Sequence, residues 1–581
     1  MSATIRVSVD PSNLAKPVLA YDLDAHLAFK SYSKLFAWRW NRSAKQNTGW
    51  EDKLTEAMRI SVEQFQVLCN MRMQLISALN QTDPPLLSGP NDTTCSDPPI
   101  SATLTLLTRH VMVFGKVFRR LCQLKRDAFV SYLFTPHLIT FYWNLVTNAT
   151  QLPPVIDSPF ALYPLRLPVQ ALFLFREFMQ DWSLLARRHK VENLQELLAL
   201  PDSPVSPELR GLCCQILGAG NLLRSIDLLI NQLIPLRPED LHKWESEPEE
   251  WFVAQEGESE QWEYELRGSA ERVLMIFVSN FADVAKPELL RMSQQVAGNH
   301  SVNLQTILHK ESVYCTINRS IHQMKENLNF DEMLGNHLVA DVQVEDAAYS
   351  VVKRAIAVII GKWVYEEAVP APTEVVWQIL LGLLQCIDVS KTDTRIFDVT
   401  QPELQTVGFN KDVFASYLRD IFAGLVNLFN ECENMESQRY ATKALAFVIE
   451  CADDLVMNHA KELCDTIPSM WASADAEQNS LFTADRITMA TKLVGATKSN
   501  SMYLWPIVIP LVQMGFQGGV AAQLDEDALD LWIHALRWTE SLTDAQGSSP
   551  NLMELLPLLQ NLLLNNLDLL ERALHVVDVT N

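Results

Sequence analysis

No stretch of this sequence is apolar for long enough to cross a membrane. The longest apolar runs, such as Ile379 to Leu384 and Trp505 to Phe516, fall well short of the roughly 20 residues that a spanning helix needs. No Cys-x-x-Cys pair occurs among the 10 cysteines, and most of them lie in apolar, helix-like runs where a thiol behaves as a small hydrophobe. That pattern argues against a zinc site and for a reducing compartment. Basic charge is in short supply: 47 Lys and Arg face 70 Asp and Glu, a net charge of -23. Nucleic acid and anionic membrane surfaces both need a basic footprint, so neither suits this chain, whereas a basic protein partner does. The opening Met-Ser-Ala-Thr-Ile-Arg has no signal-peptide layout. The expected location is cytosol or nucleus, without membrane insertion.

Catalytic signatures are also missing. There is no Gly-x-Ser-x-Gly elbow, no phosphate loop ending in Gly-Lys-Ser/Thr and no His-Glu-x-x-His. Gly515-Phe-Gln-Gly518-Gly519 lacks the lysine and reads as a helix-ending turn. The 12 histidines do not cluster at ligand spacing, and His322 and His337 read as ordinary polar positions. Acid pairs such as Asp453/Asp454 and Asp525/Glu526/Asp527 suit helix surfaces and helix N-termini. The expectation is a binding protein that is not an enzyme and takes no metal or cofactor.

What the chain does have is helical period. Ala441, Ala444, Leu445, Val448, Cys451, Ala452 and Leu455 recur at spacings of three and four, which gathers them on one face. Val352, Ile356, Ile359 and Trp363 repeat the pattern, as do Leu529, Trp532 and Leu536. Prolines at Thr135-Pro136, Ser206-Pro207, Arg237-Pro238, Lys286-Pro287 and Gln401-Pro402 mark first turns, where the missing amide has no helical acceptor. The pattern predicts helices near 24–43, 52–80, 101–126, 136–148, 168–187, 206–233, 262–283, 287–298, 304–326, 330–342, 345–366, 373–387, 411–432, 436–456, 459–471, 483–497, 503–516, 525–540 and 551–577, with no convincing strand. Helices of this length on short links pair antiparallel and stack as an α-solenoid. Trp505-Pro506-Ile507 and Leu556-Pro557-Leu558 echo each other at about fifty residues, near the HEAT period of about 40–47. The expected class is therefore all-α, an α-solenoid of HEAT-type antiparallel helix pairs, against the alternative of a non-repetitive helical protein.

The densest local signal lies between Leu241 and Asn280. Glu245, Glu247, Glu249, Glu250, Glu256, Glu258, Glu260, Glu263 and Glu265 crowd together there, and no Arg follows until Arg267. Such density is costly to bury, so it reads as a solvated loop or a surface for basic partners. Trp244, Trp251, Phe252, Trp262 and Tyr264 argue against simple disorder and read as anchors for the loop ends. Three stretches follow: 1–235 and 271–581 as two parts of the helical array, and 236–270 as the acidic, Trp-rich segment between them.

Several blocks resemble one family. Trp244-Glu-Ser-Glu-Pro248-Glu-Glu-Trp-Phe252 and Trp262-Glu-Tyr264-Glu-Leu266-Arg267 resemble a paired Trp/acidic block of the importin-β (karyopherin) superfamily, importin-eleven type. That group continues with Pro-Cys where this chain has Gly268 and Ser269, in what reads as a turn. Lys310-Glu-Ser-Val313-Tyr314, Phe330-Asp331, Tyr349, Lys353-Arg354, Ile360-Gly361-Lys362-Trp363, Tyr503-Leu-Trp-Pro506 and Glu526-Asp527-Ala528-Leu529 are similar to later blocks of the group. The likeness covers about 240–540.

The resemblance implies a HEAT-repeat nuclear transport receptor that binds protein cargo, GTP-bound Ran and Phe-Gly nucleoporins. It would shuttle between cytoplasm and nucleus through the pore at the nuclear envelope. It also implies that the N-terminal Ran-binding repeats and the extreme C-terminal repeats are missing here. Lys353, Arg354 and Trp363 are then braces between repeats rather than cargo contacts. A non-transport HEAT-repeat scaffold and an exportin of the same superfamily are the competing readings.

Overall fold

The computed structural model describes residues 22–43, 51–80, 87–88, 94–95, 98–132, 134–147, 163–188, 219–247, 251, 264–365, 374–385, 410–432, 435–472, 480–516, 524–539, 542, 551–565 and 569–580. Among them nearly everything is helix. The exception is a two-residue antiparallel ladder, with Leu87 opposite Cys95 and Ser88 opposite Thr94. It is too short for alternating hydrophobicity to betray it. Among the described residues no helix is long and apolar enough to cross a membrane.

The chain divides into two compact units. One comprises Met1–Lys243 with Gly257–Gln294, the other Trp244–Glu256 with Gln295–Asn581. In the first unit the Pro98–Leu124 helix packs on Asp22–Ser43, on Glu51–Asn80 and on Tyr163–Arg188, and Tyr163–Arg188 packs on Leu266–Asn280. Aromatic side chains fill this core. Phe65 meets Phe118 edge-on at 5.5 Å, and Trp143 stacks on Phe175 at 4.5 Å. The Trp40 indole donates to the Leu121 carbonyl at 3.1 Å, which ties the first described helix to the third.

The second unit shows the repeat plainly. Its first-helix positions begin at Met435, Ser480, Asp525 and Leu570, each 45 residues after the last. Each of these helices packs against the next: Met435–Ala452 on Ser480–Thr497, that on Asp525–Arg537, and that on Leu570–Thr580. The second helices of these pairs are Ala460–Ala472, Trp505–Gly515 and Leu556–Asn565. This is the all-α, α-solenoid arrangement of helix pairs, at the HEAT period. Buried Ala441, Leu445, Val448 and Ala452 form the expected face of the first of these helices. Asn551 and Glu554 close a reciprocal capping box at the last link, which satisfies two otherwise orphaned amides.

Two proline starts are corrected. The helices predicted to open at 168 and 287 begin earlier, at Tyr163 and Ala282, and run through Pro168 and Pro287. An interior proline forfeits one hydrogen bond and costs about 3 kcal/mol. Burial of Leu167, Leu172, Ala285 and Leu289 in the same helices offsets it. Pro238 does open its helix, while Pro207 and Pro402 lie outside the described residues. Gly268 and Ser269 sit in the first turn of Leu266–Asn280, a helix where a turn was expected.

Two glycines in the second unit give opposite expectations. A Cβ on Gly515 would stand 2.5 Å from the Ala528 Cβ, so here the Gly515 backbone lies against the Ala528 methyl. A Cβ on Gly495 would meet nothing within 4 Å. Gly515→Ala should therefore lose about 1–3 kcal/mol through overpacking. Gly495→Ala should gain about 0.5–1 kcal/mol by restricting the unfolded chain. Urea denaturation of both variants measures the two signs.

Candidate interaction site

The acidic segment is only partly described. Glu245 and Glu247 are exposed at the C-terminal end of the Pro238–Ser246 helix and just beyond it. Glu265 is exposed at the N-cap of Leu266–Asn280. Burial around it, then the Asp240 carboxylate, raises its carboxyl above the usual range, against the pull of Lys243. Glu249, Glu250, Glu256, Glu258, Glu260, Glu263, Phe252 and Trp262 lie outside the described residues.

The aromatics are anchors of different kinds. Trp244 and Trp251 are buried with ring centroids 6.4 Å apart, and the Arg354 guanidinium lies over Trp251 at 4.6 Å. Arg354 thus braces its own unit. Tyr264 is 71% exposed, yet its ring covers Arg119 at 4.3 Å while Phe173 covers the same guanidinium at 4.4 Å. Such stacking attracts the cation through the ring faces. Trp363 is fully buried and stacks nearly parallel on Phe330 at 4.6 Å.

A second polar centre escaped the sequence reading. Asp341 is wholly buried and gathers donors from one helix and one turn. Lys310 Nζ donates to Oδ1 at 2.6 Å, Tyr314 OH to Oδ2 at 2.5 Å and Tyr349 OH to Oδ1 at 3.0 Å. His300 Nδ1 lies 3.0 Å from Oδ1. Lys310 and Tyr314 come from the Leu304–Arg319 helix, four residues apart and so on one face. Asp341 comes from the short Val339–Val342 helix, Tyr349 from the Ala347–Tyr349 turn. A buried carboxylate is tolerated only when its lone pairs are met, and here they are. Burial lowers the Lys310 ammonium from its usual range, with Asp341 opposing. Burial and the adjacent carboxylate both push the Tyr314 and Tyr349 phenols up. An isolated acid in Val-Ala-Asp-Val gives no sequence sign of such a role. This constellation links the Leu304–Arg319 helix, the Val339–Val342 helix and the Ala347–Tyr349 turn as a structural tie. Among the described residues no group of three or more His, Cys, Asp or Glu could hold a metal ion.

Comparison with known proteins fits this geometry. A family model described as "Importin-11-like, TPR repeats" matches residues 485–579. Human importin-11 is 24% identical over 320 residues, which is 54% of this chain and 32% of that protein. The importin beta-like protein KAP120 of Saccharomyces cerevisiae is 23% identical over 371 residues, 62% of this chain and 36% of that one. The structure titled "Structure of Lph2, a novel bidirectional nuclear transport receptor in S. cerevisiae" aligns over 94% of this chain and 54% of its own, with a TM-score of 0.64 at 17% identity. The fold is that of a helical-repeat protein, and the sequence is similar to members of the importin-β superfamily. Within that superfamily it is similar to importin-11-like proteins. It spans about a third of the length of the curated relatives it matches. The 45-residue step is that of a HEAT unit and exceeds the 34 residues of a TPR.

Two tests follow from the carboxylate tie. Asp341→Asn leaves the Lys310 ammonium buried without a counter-charge and should cost about 3–5 kcal/mol in denaturant melts. Tyr314 and Tyr349 keep their protons in the folded protein above about pH 10, where the unfolded chain loses them. Their contribution is therefore complete below pH 10 and is lost as pH rises through the folded values. Lys310, held low, has the opposite slope below about pH 10.4. Absorbance at 295 nm should show two tyrosines that ionise late, together with loss of helix.

Proposed function

We propose that this chain is a nuclear transport receptor, or a segment of one, that binds protein cargo and the small GTPase Ran. The observation that carries the reading is the alignment with two importins across more than half of the chain. The repeat geometry supports it, because stacked helix pairs leave long surfaces and inter-helix grooves for partners. Import is the direction in the names of the two relatives aligned by sequence, while the structural neighbour is titled bidirectional. The acidic segment 236–270 would meet a basic cargo or the basic side of Ran, through Glu245, Glu247, Glu249, Glu250, Glu256, Glu258, Glu260, Glu263 and Glu265. The stretches 1–235 and 271–581 would supply the helical array, with weak apolar grooves for Phe-Gly segments. Exposed carboxylates at such a surface raise association rate and set partner choice more than they raise affinity.

The test is retention of the purified chain on immobilised Ran loaded with GTP or GDP. Selective retention by the GTP form supports the reading. Equal or no retention, by a chain whose circular dichroism is helical, contradicts it and favours the scaffold. Glu245→Lys with Glu247→Lys should slow association with a basic partner roughly severalfold and flatten its salt dependence. Stopped-flow mixing at two salt concentrations reads this out.

A further inference from the structure

In the first unit the Asp22–Ser43 and Pro98–Leu124 helices run side by side in the same direction. The Phe29 ring lies 5.9 Å from His110 and 4.4 Å from Phe114, and eleven residues on Trp40 donates to the Leu121 carbonyl at 3.1 Å. Residue 34 therefore stands about level with residue 116, at the rise of about 1.5 Å per residue.

Charge on this helix pair has one sign. Pro98–Leu124 contains no Asp or Glu, and neither does the stretch 27–43. Arg109, Lys116 and Arg120 are exposed at spacings of seven and four, which makes one stripe. At about 100° per residue, His110 and Phe114 lie about 120° around the helix from that stripe. Phe118, which meets Phe65, lies opposite it, so the stripe points away from the core. On the neighbouring helix, exposed Lys30 and Lys34 lie about 100° and 140° around from Phe29. Because the helices are parallel, that rotation brings both lysines to the side that carries the arginine stripe. Half-buried Ala37 and Val113 point to the same side and floor the space between the two rows.

The result is a shallow groove about 16 Å long, between helices about 8–10 Å apart, with Lys30 and Lys34 on one rim and Arg109, Lys116 and Arg120 on the other. Among the described residues no carboxylate pairs with these five cations, whereas Arg59, Arg126 and Arg176 of the same unit are each paired with a glutamate. In a chain of net charge -23, cations gathered without a single acid leave a positive potential that only a ligand can meet. The aliphatic floor suits the side chains of a peptide and offers nothing to a sugar-phosphate backbone. The net charge also repels a long polyanion.

We propose that this cationic groove docks an acidic segment of a partner protein, its carboxylates on the two rims and its small apolar side chains on Ala37 and Val113. The proposal does not depend on the transport reading, and the partner's charge is opposite to that sought by the segment 236–270. The probe is a fluorescent peptide of four Glu-Ala-Glu-Leu repeats, added to the full chain. Four Lys-Ala-Lys-Leu repeats and a thymidine 16-mer serve as controls. The Glu peptide should bind at least tenfold more tightly than either control and weaken as salt rises. Lys34→Glu, Lys116→Glu and Arg120→Glu combined should weaken it at least tenfold, with circular dichroism unchanged. Lys325→Glu, Arg419→Glu and Lys461→Glu, exposed in the other unit, change the net charge equally and should leave binding within twofold.

A second measurement needs no variant. Carbodiimide coupling of the bound peptide should join its carboxylates to Lys30, Lys34 and Lys116 and spare Lys325 and Lys461, read by mass spectrometry. Absence of binding, equal loss in both triple variants, tighter binding of the oligonucleotide, or coupling spread evenly over exposed lysines would each overturn the proposal. So would dimerisation of the wild-type chain that the first triple variant abolishes, since the occupant would then be a second copy.

Discussion

Each helix of the 435–580 region must cover its apolar stripe with the corresponding helix of the next repeat. That constraint orders much else. It explains why four successive helices begin at a fixed 45-residue step while the links between them vary. It explains why small residues gather at the contacts, where Ala441, Ala444 and Ala452 let helices approach and Gly515 meets Ala528 directly. Because the inward helix faces are spent on neighbours, the groups left for partners sit at helix ends and on outward faces. The exposed acids after Trp244 and the cations on Asp22–Ser43 and Pro98–Leu124 are of these two kinds.

The buried carboxylate of Asp341 is the polar exception inside this scheme. Replacing such a cluster with apolar residues can leave stability unchanged, so its value lies in fixing one arrangement of three elements. Lys310, Tyr314 and Tyr349, which hold it, are among the residues that carry the resemblance to importins. So does Trp363, stacked on Phe330 in the core. These matching residues therefore encode architecture, and the likeness to importins is at these positions a likeness of packing.

The fold was legible because helical period survives in single segments such as 435–452, whatever their neighbours do. The repeat was only faintly legible. The proline echo at 505 and 556 measures about fifty residues, because the stretch between Arg537 and Leu552 is longer than the corresponding earlier links. Helix starts at Tyr163 and Ala282 were hidden by prolines that usually mark a first turn but here lie inside. Burial of Trp244 and exposure of Tyr264 could not be told apart from composition, since both rings sit beside glutamates. Asp341 was invisible for a plainer reason: a lone acid between valines looks the same whether it faces water or three donors from elsewhere in the chain.

The central proposal is that this helical array acts as a transport receptor. Its most direct test is the entry of fluorescently labelled chain into nuclei of permeabilised cells, with an inert protein of the same mass as reference. The account predicts rim staining and nuclear accumulation well above the reference, reduced by an excess of soluble Phe-Gly repeat protein. Exclusion equal to that of the reference, by a chain shown to be folded and monodisperse, would contradict it.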